Sequence, residues 1–156
     1  MFSADCLISM ANGTHKPITS ILKGDIIFNK FKVPTKVIKI HTHENQQSIR
    51  VQLNNGTNSF HTSPNTIVFC YYRIPNTTLK SEYCAISKVK ENNGYIKSDL
   101  KIFSPESDVN FDSYVIAEPS TLYSLDTSDN SQSYLVNKVI FLGDTCGNLL
   151  FYNLEY

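Results

Sequence analysis

The chain has 156 residues, enough for a substantial core in one domain, and 14 Lys plus Arg balance 14 Asp plus Glu to a net charge of zero. A neutral chain with scattered basic residues lacks the electrostatic footprint of a nucleic-acid or anionic-membrane binder, so neither partner is expected. No apolar run approaches the roughly 18 residues of a membrane span, and "MFSAD" has neither the basic nor the apolar region of a signal peptide.

In chain order, "CLISM" reads as a short apolar strand and Asn12-Gly13 as a turn. "KPITSILKGD" is the one stretch that supports a helical turn or two, with Pro17 at its first position and Gly24 ending it. "IIF" and "TKVIKIHT" follow as strands. In "SIRVQLNNG", Ile49, Val51 and Leu53 alternate with polar neighbours and run into Asn54-Asn55-Gly56; the pattern resumes at "SFHTS", so residues 48–63 read as a β-hairpin. "NTIVFCYYRI", "EYCAISKV", "DSYVIAE", "TLYSL", "SYLVNKVIFLG" and "NLLFYNLEY" are short, β-branched or aromatic, and bounded by turn residues. "KENNGYIKSD" and "SPESDVNFD" read as exposed loops, and "GDTCGN" as a hairpin rather than a phosphate-binding turn. Nine Tyr and nine Phe with no Trp supply the bulk of an all-β core. No repeat or linker divides the chain, so one all-β domain spanning residues 1–156, acting as a monomer, is expected.

Cys6, Cys70, Cys84 and Cys146 are too widely spaced for a disulfide scaffold or a CxxC zinc knuckle, which favours buried free thiols over disulfides and leaves the compartment open. His41 and His43 share a strand face at a spacing zinc sites use, but no third ligand is near in sequence. No metal or cofactor is expected.

Three ordered blocks carry a family likeness. "MFSADCLISMANGTHKPITSILKGDIIF", "SIRVQLNNGTNSFHTSPNTIVF" and "TLYSLDTSDNSQSYLVNKVIFLGD" together resemble the Hint superfamily of inteins and hedgehog autoprocessing domains, over about residues 1–144 with a divergent middle. Tyr123, Leu125, Tyr134, Val136 and Asn137 match the terminal block. Cys6, five residues after the first position, is similar to the second cysteine of the Vint subgroup. The resemblance implies a flattened, horseshoe-like β domain with pseudo-twofold halves, in which Met1 lies near Thr62 and the segment 141–144. It implies intramolecular self-cleavage or splicing, with the flanking polypeptide as substrate.

The departures from that pattern bear on chemistry. Counting back from Gly13 and Gly24-Asp25 places the family's nucleophile at Met1, whose thioether has no proton to lose and forms no stable acyl product. The family's His, three residues after Thr62, is Asn65 here, which cannot exchange a proton near neutral pH. His61 is a poor stand-in, because alternation points it away if Thr62 points in. At the far end Leu142-Gly143 or Gly143-Asp144 stands where splicing members end in His-Asn, so Asn-driven release is absent. Either Met1 replaces a native Cys or Ser, or the fold is retained as a binding or structural module, with a protein as partner. From another class, a cysteine hydrolase would use Cys6 with His15 or His61, although Cys6 between Ala-Asp and Leu-Ile reads as a buried small hydrophobe.

Overall fold

The computed structural model describes residues 1–54, 56–73, 79–91, 100–102, 104–105 and 109–142. Most of these lie in strands: β1 (Leu7–Ser9), β2 (His15–Pro17), β3 (Ile26–Phe28), β4 (Pro34–Leu53), β5 (Asn58–Thr62), β6 (Ile67–Arg73), β7 (Leu79–Ala85), β8 (Lys101–Ile102), β9 (Val109–Thr127), β10 (Ser133–Val136) and β11 (Val139–Leu142). They form one antiparallel sheet in the order β2-β1-β10-β11-β6-β8-β9-β4-β3, with β5 paired to β4 and β7 to β6.

The long strands are the main departure from the sequence expectations. "TKVIKIHT" and the first arm of the 48–63 hairpin are one strand, β4, and "DSYVIAE" and "TLYSL" are one strand, β9. These two pair along their length as a bent ribbon, with register shifts at Val37/Lys39, His43/Gln46, Gln46/Ser48 and Gln52/Leu53. Each shift is a bulge or irregularity that interrupts the ladder without ending the pairing. The supposed loop "SPESDVNFD" contributes its last four residues to the start of β9.

Helical structure is shorter than expected in one place and present where none was expected in another. Pro17 closes β2 and precedes a single 3₁₀ turn, Ile18–Ser20, that buries Ile18. A second 3₁₀ segment, Ile86–Glu91, takes the "ISKV" read as strand. Its Ile86 and Val89 are both fully buried, three residues apart, which is the repeat of that helix type. "SYLVNKVIFLG" folds as the β10–β11 hairpin, whose two turn residues Asn137 and Lys138 have φ of 49° and 69°, the mirror-image turn that suits the sheet's twist.

The core is continuous across both ends of the chain. Phe2, Ile8, Ile27, Val51, Leu53, Val68, Leu125, Tyr134 and Phe141 are buried in one cluster. Phe2 packs edge-on against Phe141 and Tyr134, with ring centroids 5.0 and 6.0 Å away. Fully burying such a side chain contributes about 1.5–3 kcal/mol. The first residues are thereby pinned inside the sheet. Among the described residues no helix is long and apolar enough to cross a membrane. Cys146, Gly143, Asp144, "GDTCGN", "NLLFYNLEY" and most of "KENNGYIKSD" lie outside the described residues.

Candidate active site

The amino-terminal residues enter between β5 and β9, where Phe2 bridges Thr62 on one side and Tyr123 on the other. Phe2 exchanges backbone hydrogen bonds with Tyr123, both 2.7 Å, and Ser3 N donates to the His61 carbonyl at 3.0 Å. This leaves Met1 against the turn that follows β5. Ser63 O accepts from Thr66 N at 3.2 Å, with Pro64 and Asn65 at the tip. Proline suits the second position of such a turn because its φ is already set. The turn is strapped from outside by Ile86 N to Thr66 O (2.8 Å) and Ser87 N to Pro64 O (3.2 Å).

Three buried hydroxyls line this slot: Thr62, Ser63 and Thr66. The Met1 carbonyl accepts from Thr62 Oγ1 at 2.7 Å and from Ser63 N at 3.0 Å. The Met1 nitrogen donates to Thr66 Oγ1 at 3.3 Å and Ser63 Oγ at 3.4 Å. Thr66 Oγ1 is also 2.7 Å from both Thr62 Oγ1 and Ser63 Oγ. A hydroxyl has one proton, so proton counting fixes the direction of the chain. Thr62 gives its proton to Met1 O, Thr66 therefore donates to Thr62, and Ser63 donates to Thr66. Every acceptor in the slot is then filled. The arrangement grips a backbone on both its N and its C=O.

Asn65 stands elsewhere. It is exposed at the turn tip, and Ser63 and Thr66 take the contact with the Met1 nitrogen that spacing assigned to it. The reason is local: in a Ser63–Thr66 turn the third residue points outward, while its flanking residues face the body of the fold. These two hydroxyls were missed by sequence reasoning. The run Thr-Ser-Pro-Asn-Thr held the clue, a Pro-Asn turn tip bracketed by small polar residues.

His61 pairs with Arg50 while Thr62 pairs with Ile49, so alternation sends the imidazole to the other face. There it lines an open groove with Ser3, Asp5, Glu118 and Thr121. Cys6 is 1% exposed, and its Sγ lies 3.3 Å from Ser3 Oγ and 3.7 Å from the His61 carbonyl. Burial pushes its thiol up to about 11, outweighing the Ser3 hydroxyl bond that lowers it, with the Asp5 charge adding a smaller push upward. A thiolate nucleophile needs the opposite environment. His41 and His43 stack on one strand face, but His41 Nε2 is bonded to Asp126 (2.8 Å) and His43 Nε2 to Ser124 Oγ (3.1 Å).

The terminal block is tied to the start of β5, at the end of that strand away from Thr62. Asn137 Oδ1 accepts from Leu7 N (2.9 Å), Asn137 N donates to Leu7 O (2.8 Å), and Asn58 Nδ2 donates to Asn137 O (3.0 Å). One turn residue thus ties β1, β5 and the β10–β11 hairpin together. Of the expected neighbourhood, Met1 is bonded to Thr62, and the next residue, Phe2, packs on Phe141 of β11; residues 143 and 144 lie outside the described residues.

No family model matches the chain, and no curated protein does. Solved structures do. The chain is similar to the MchDnaB-1 intein at 10% identity and TM-score 0.66, covering 91% of this chain and 99% of that one. A DnaB intein from Synechocystis gives 14% identity and TM-score 0.65 over 92% and 97%. A bacterial intein-like domain from Clostridium thermocellum gives 13% and 0.66 over 92% and 97%. In each case the likeness covers more than nine-tenths of both chains. The chain has the all-β Hint fold of inteins and intein-like domains.

Proposed function

We propose that this chain is a self-processing-type domain whose substrate is its own flanking polypeptide, held at Met1, and that with methionine there it grips the junction without cutting it. The observation that carries this reading is the grip itself: the Met1 carbonyl and nitrogen are each bonded by groups of the 62–66 turn.

The chemistry follows from what the slot has and lacks. In an acyl shift, residue 1 attacks the carbonyl before it, and the leaving nitrogen must be protonated. The hydroxyls of Ser63 and Thr66 orient that nitrogen. They do not protonate it, because a neutral hydroxyl is a very weak acid and both protons are already committed within the slot. The methionine sulfur cannot deliver an acyl product. Position is supplied, and both reactive groups are missing.

The test is a fusion carrying a well-folded protein upstream of Met1, incubated with dithiothreitol or hydroxylamine, which trap thioesters, and followed on gels. It is expected to stay intact. Cleavage before residue 1 would place the nucleophile elsewhere and overturn the reading. A second reading, a Hint-fold binding module, is favoured by the same lack of reactive groups; it parts from the first if restoring a thiol at position 1 brings no cleavage in a folded chain. A cysteine hydrolase at Cys6 is disfavoured by that thiol's burial and raised proton affinity.

A further inference from the structure

A second constellation, unused by the Met1 slot, lies on the β6–β7 pair. Cys70 is directly opposite Glu82, and Cys84 is opposite Val68. Alternation puts Cys70, Glu82 and Cys84 on the same sheet face as the buried Val68 and Tyr72. The two sulfurs are 3.4 Å apart, and both thiols are free. The Glu82 carboxylate joins them so that the three candidate ligand atoms lie within 4.8 Å of one another. Cys70 is fully buried, while Cys84 and Glu82 are half-buried. Among the described residues the Glu82 carboxylate makes no hydrogen bond or ion pair. A half-buried carboxylate gains from a charged or hydrogen-bonding partner, and the two thiols beside it are the polar groups that flank it.

We propose that Cys70, Glu82 and Cys84 form a site for a thiophilic divalent cation of the zinc class, with water as fourth ligand. Two thiolates and a carboxylate are a donor set such ions accept, and metal–sulfur bonds of about 2.3 Å in a tetrahedron put two sulfurs roughly 3.8 Å apart. The observed 3.4 Å needs an adjustment of a few tenths of an ångström. A disulfide, the competing fate, needs about 2.05 Å and so a closure of more than an ångström between diagonally offset strand positions. Geometry favours the metal. On binding, two S–H protons pass to solvent as two metal–sulfur bonds form, and no electron changes hands. β7 pairs only with β6 among the described strands, so the ion has an approach from the sheet edge. Its effect would reach the slot, since Cys84 is two residues from Ile86, which bonds the Thr66 carbonyl.

The full chain, reduced and freed of chelator, is titrated with Co²⁺. The expected result is visible ligand-field bands with sulfur-to-metal charge transfer, removed by Zn²⁺. Cys84→Ser should abolish the charge transfer, Glu82→Gln should weaken binding at least about tenfold, and Cys6→Ser and Cys146→Ser should leave it intact. Zn²⁺ should raise the melting temperature of the parent chain and leave Cys84→Ser unmoved. Bands absent from the folded parent, or surviving Cys84→Ser, would overturn the proposal. So would a Cys70–Cys84 disulfide whose reduced form takes up no metal.

Discussion

Thr66 Oγ1 lies 3.3 Å from the Met1 nitrogen, so the polar neighbour of the junction is one residue beyond the position that block spacing indicates. That offset decides where a general acid would have to be placed.

With an upstream fusion partner in place, Met1→Cys alone should cleave slowly on thiol addition. Met1→Cys with Thr66→His should cleave faster, and Met1→Cys with Asn65→His no faster than the single variant. A positioned acid contributes roughly 10²–10⁴ in rate, and only residue 66 of the two reaches the nitrogen. Gel-based cleavage rates, with circular dichroism to confirm folding, give the ordering. An Asn65→His double variant that outpaces the Thr66→His one would mean the turn is read wrongly.

The same geometry separates the two residues by stability. Thr66→Val removes the central hydroxyl and strands both Thr62 and Ser63, so a loss of about 1–3 kcal/mol is expected from urea unfolding. Asn65→Ala, at the exposed turn tip, should stay within about 0.5 kcal/mol of the parent. Equal effects would contradict the proton chain drawn from Ser63 through Thr66 to Thr62.

Cys6 should be inert to iodoacetamide in the folded chain at neutral pH and react readily once the chain is unfolded. Burial and a proton affinity of about 11 both act against the thiolate. Mass spectrometry of peptides after timed alkylation measures this directly. Fast modification of folded Cys6 would return it to the list of nucleophiles.

Acid should loosen the fold through Asp129. Burial opposes its charge, but bonds from Asn29 Nδ2 (2.8 Å), Ser131 Oγ (2.7 Å) and Thr127 Oγ1 (2.8 Å) outweigh this and hold the carboxyl below its ordinary value. A carboxyl depressed in the folded state stabilises above its unfolded pKa of about 3.9, and that share is lost as pH falls through the folded value. Asp129→Asn should therefore flatten the fall in stability below about pH 4. Asp25, lowered chiefly by the Leu22 backbone N–H, should still contribute its own part in that variant. Chemical denaturation across pH 2–6 reads the slope, and an unchanged slope would show that Asp129 is not depressed.

Strand identity was legible because alternation survives wherever one face is buried: Ile49, Val51 and Leu53 all point inward as their spacing indicates. Strand length was not. Asn45, at φ 50°, and the shifts around Gln46 break the two-residue rhythm, so β4 reads as two pieces although its backbone continues. The second 3₁₀ segment was hidden because Ile86 and Val89 follow directly on a genuine strand. In the site, Thr62 and the outward turn of His61 could be read from alternation. For Ser63 and Thr66 the Pro-Asn turn tip between them could be read, but not their role, since small hydroxyl residues are compatible with almost any loop and show it only when Met1 is beside them.

Phe2 and Tyr123 pair through two backbone bonds, yet almost the whole described chain lies between them in sequence. Closing so wide a loop is entropically costly and must await the β9 strand it docks against. The first residues can meet His61, Thr62 and Ser63 earlier, but their partner on β9 leaves the ribosome only after more than a hundred further residues. Whatever precedes Met1 has the time to fold independently before both sides of the pairing that holds the junction exist. Assembly order alone separates completion of an upstream segment from its capture.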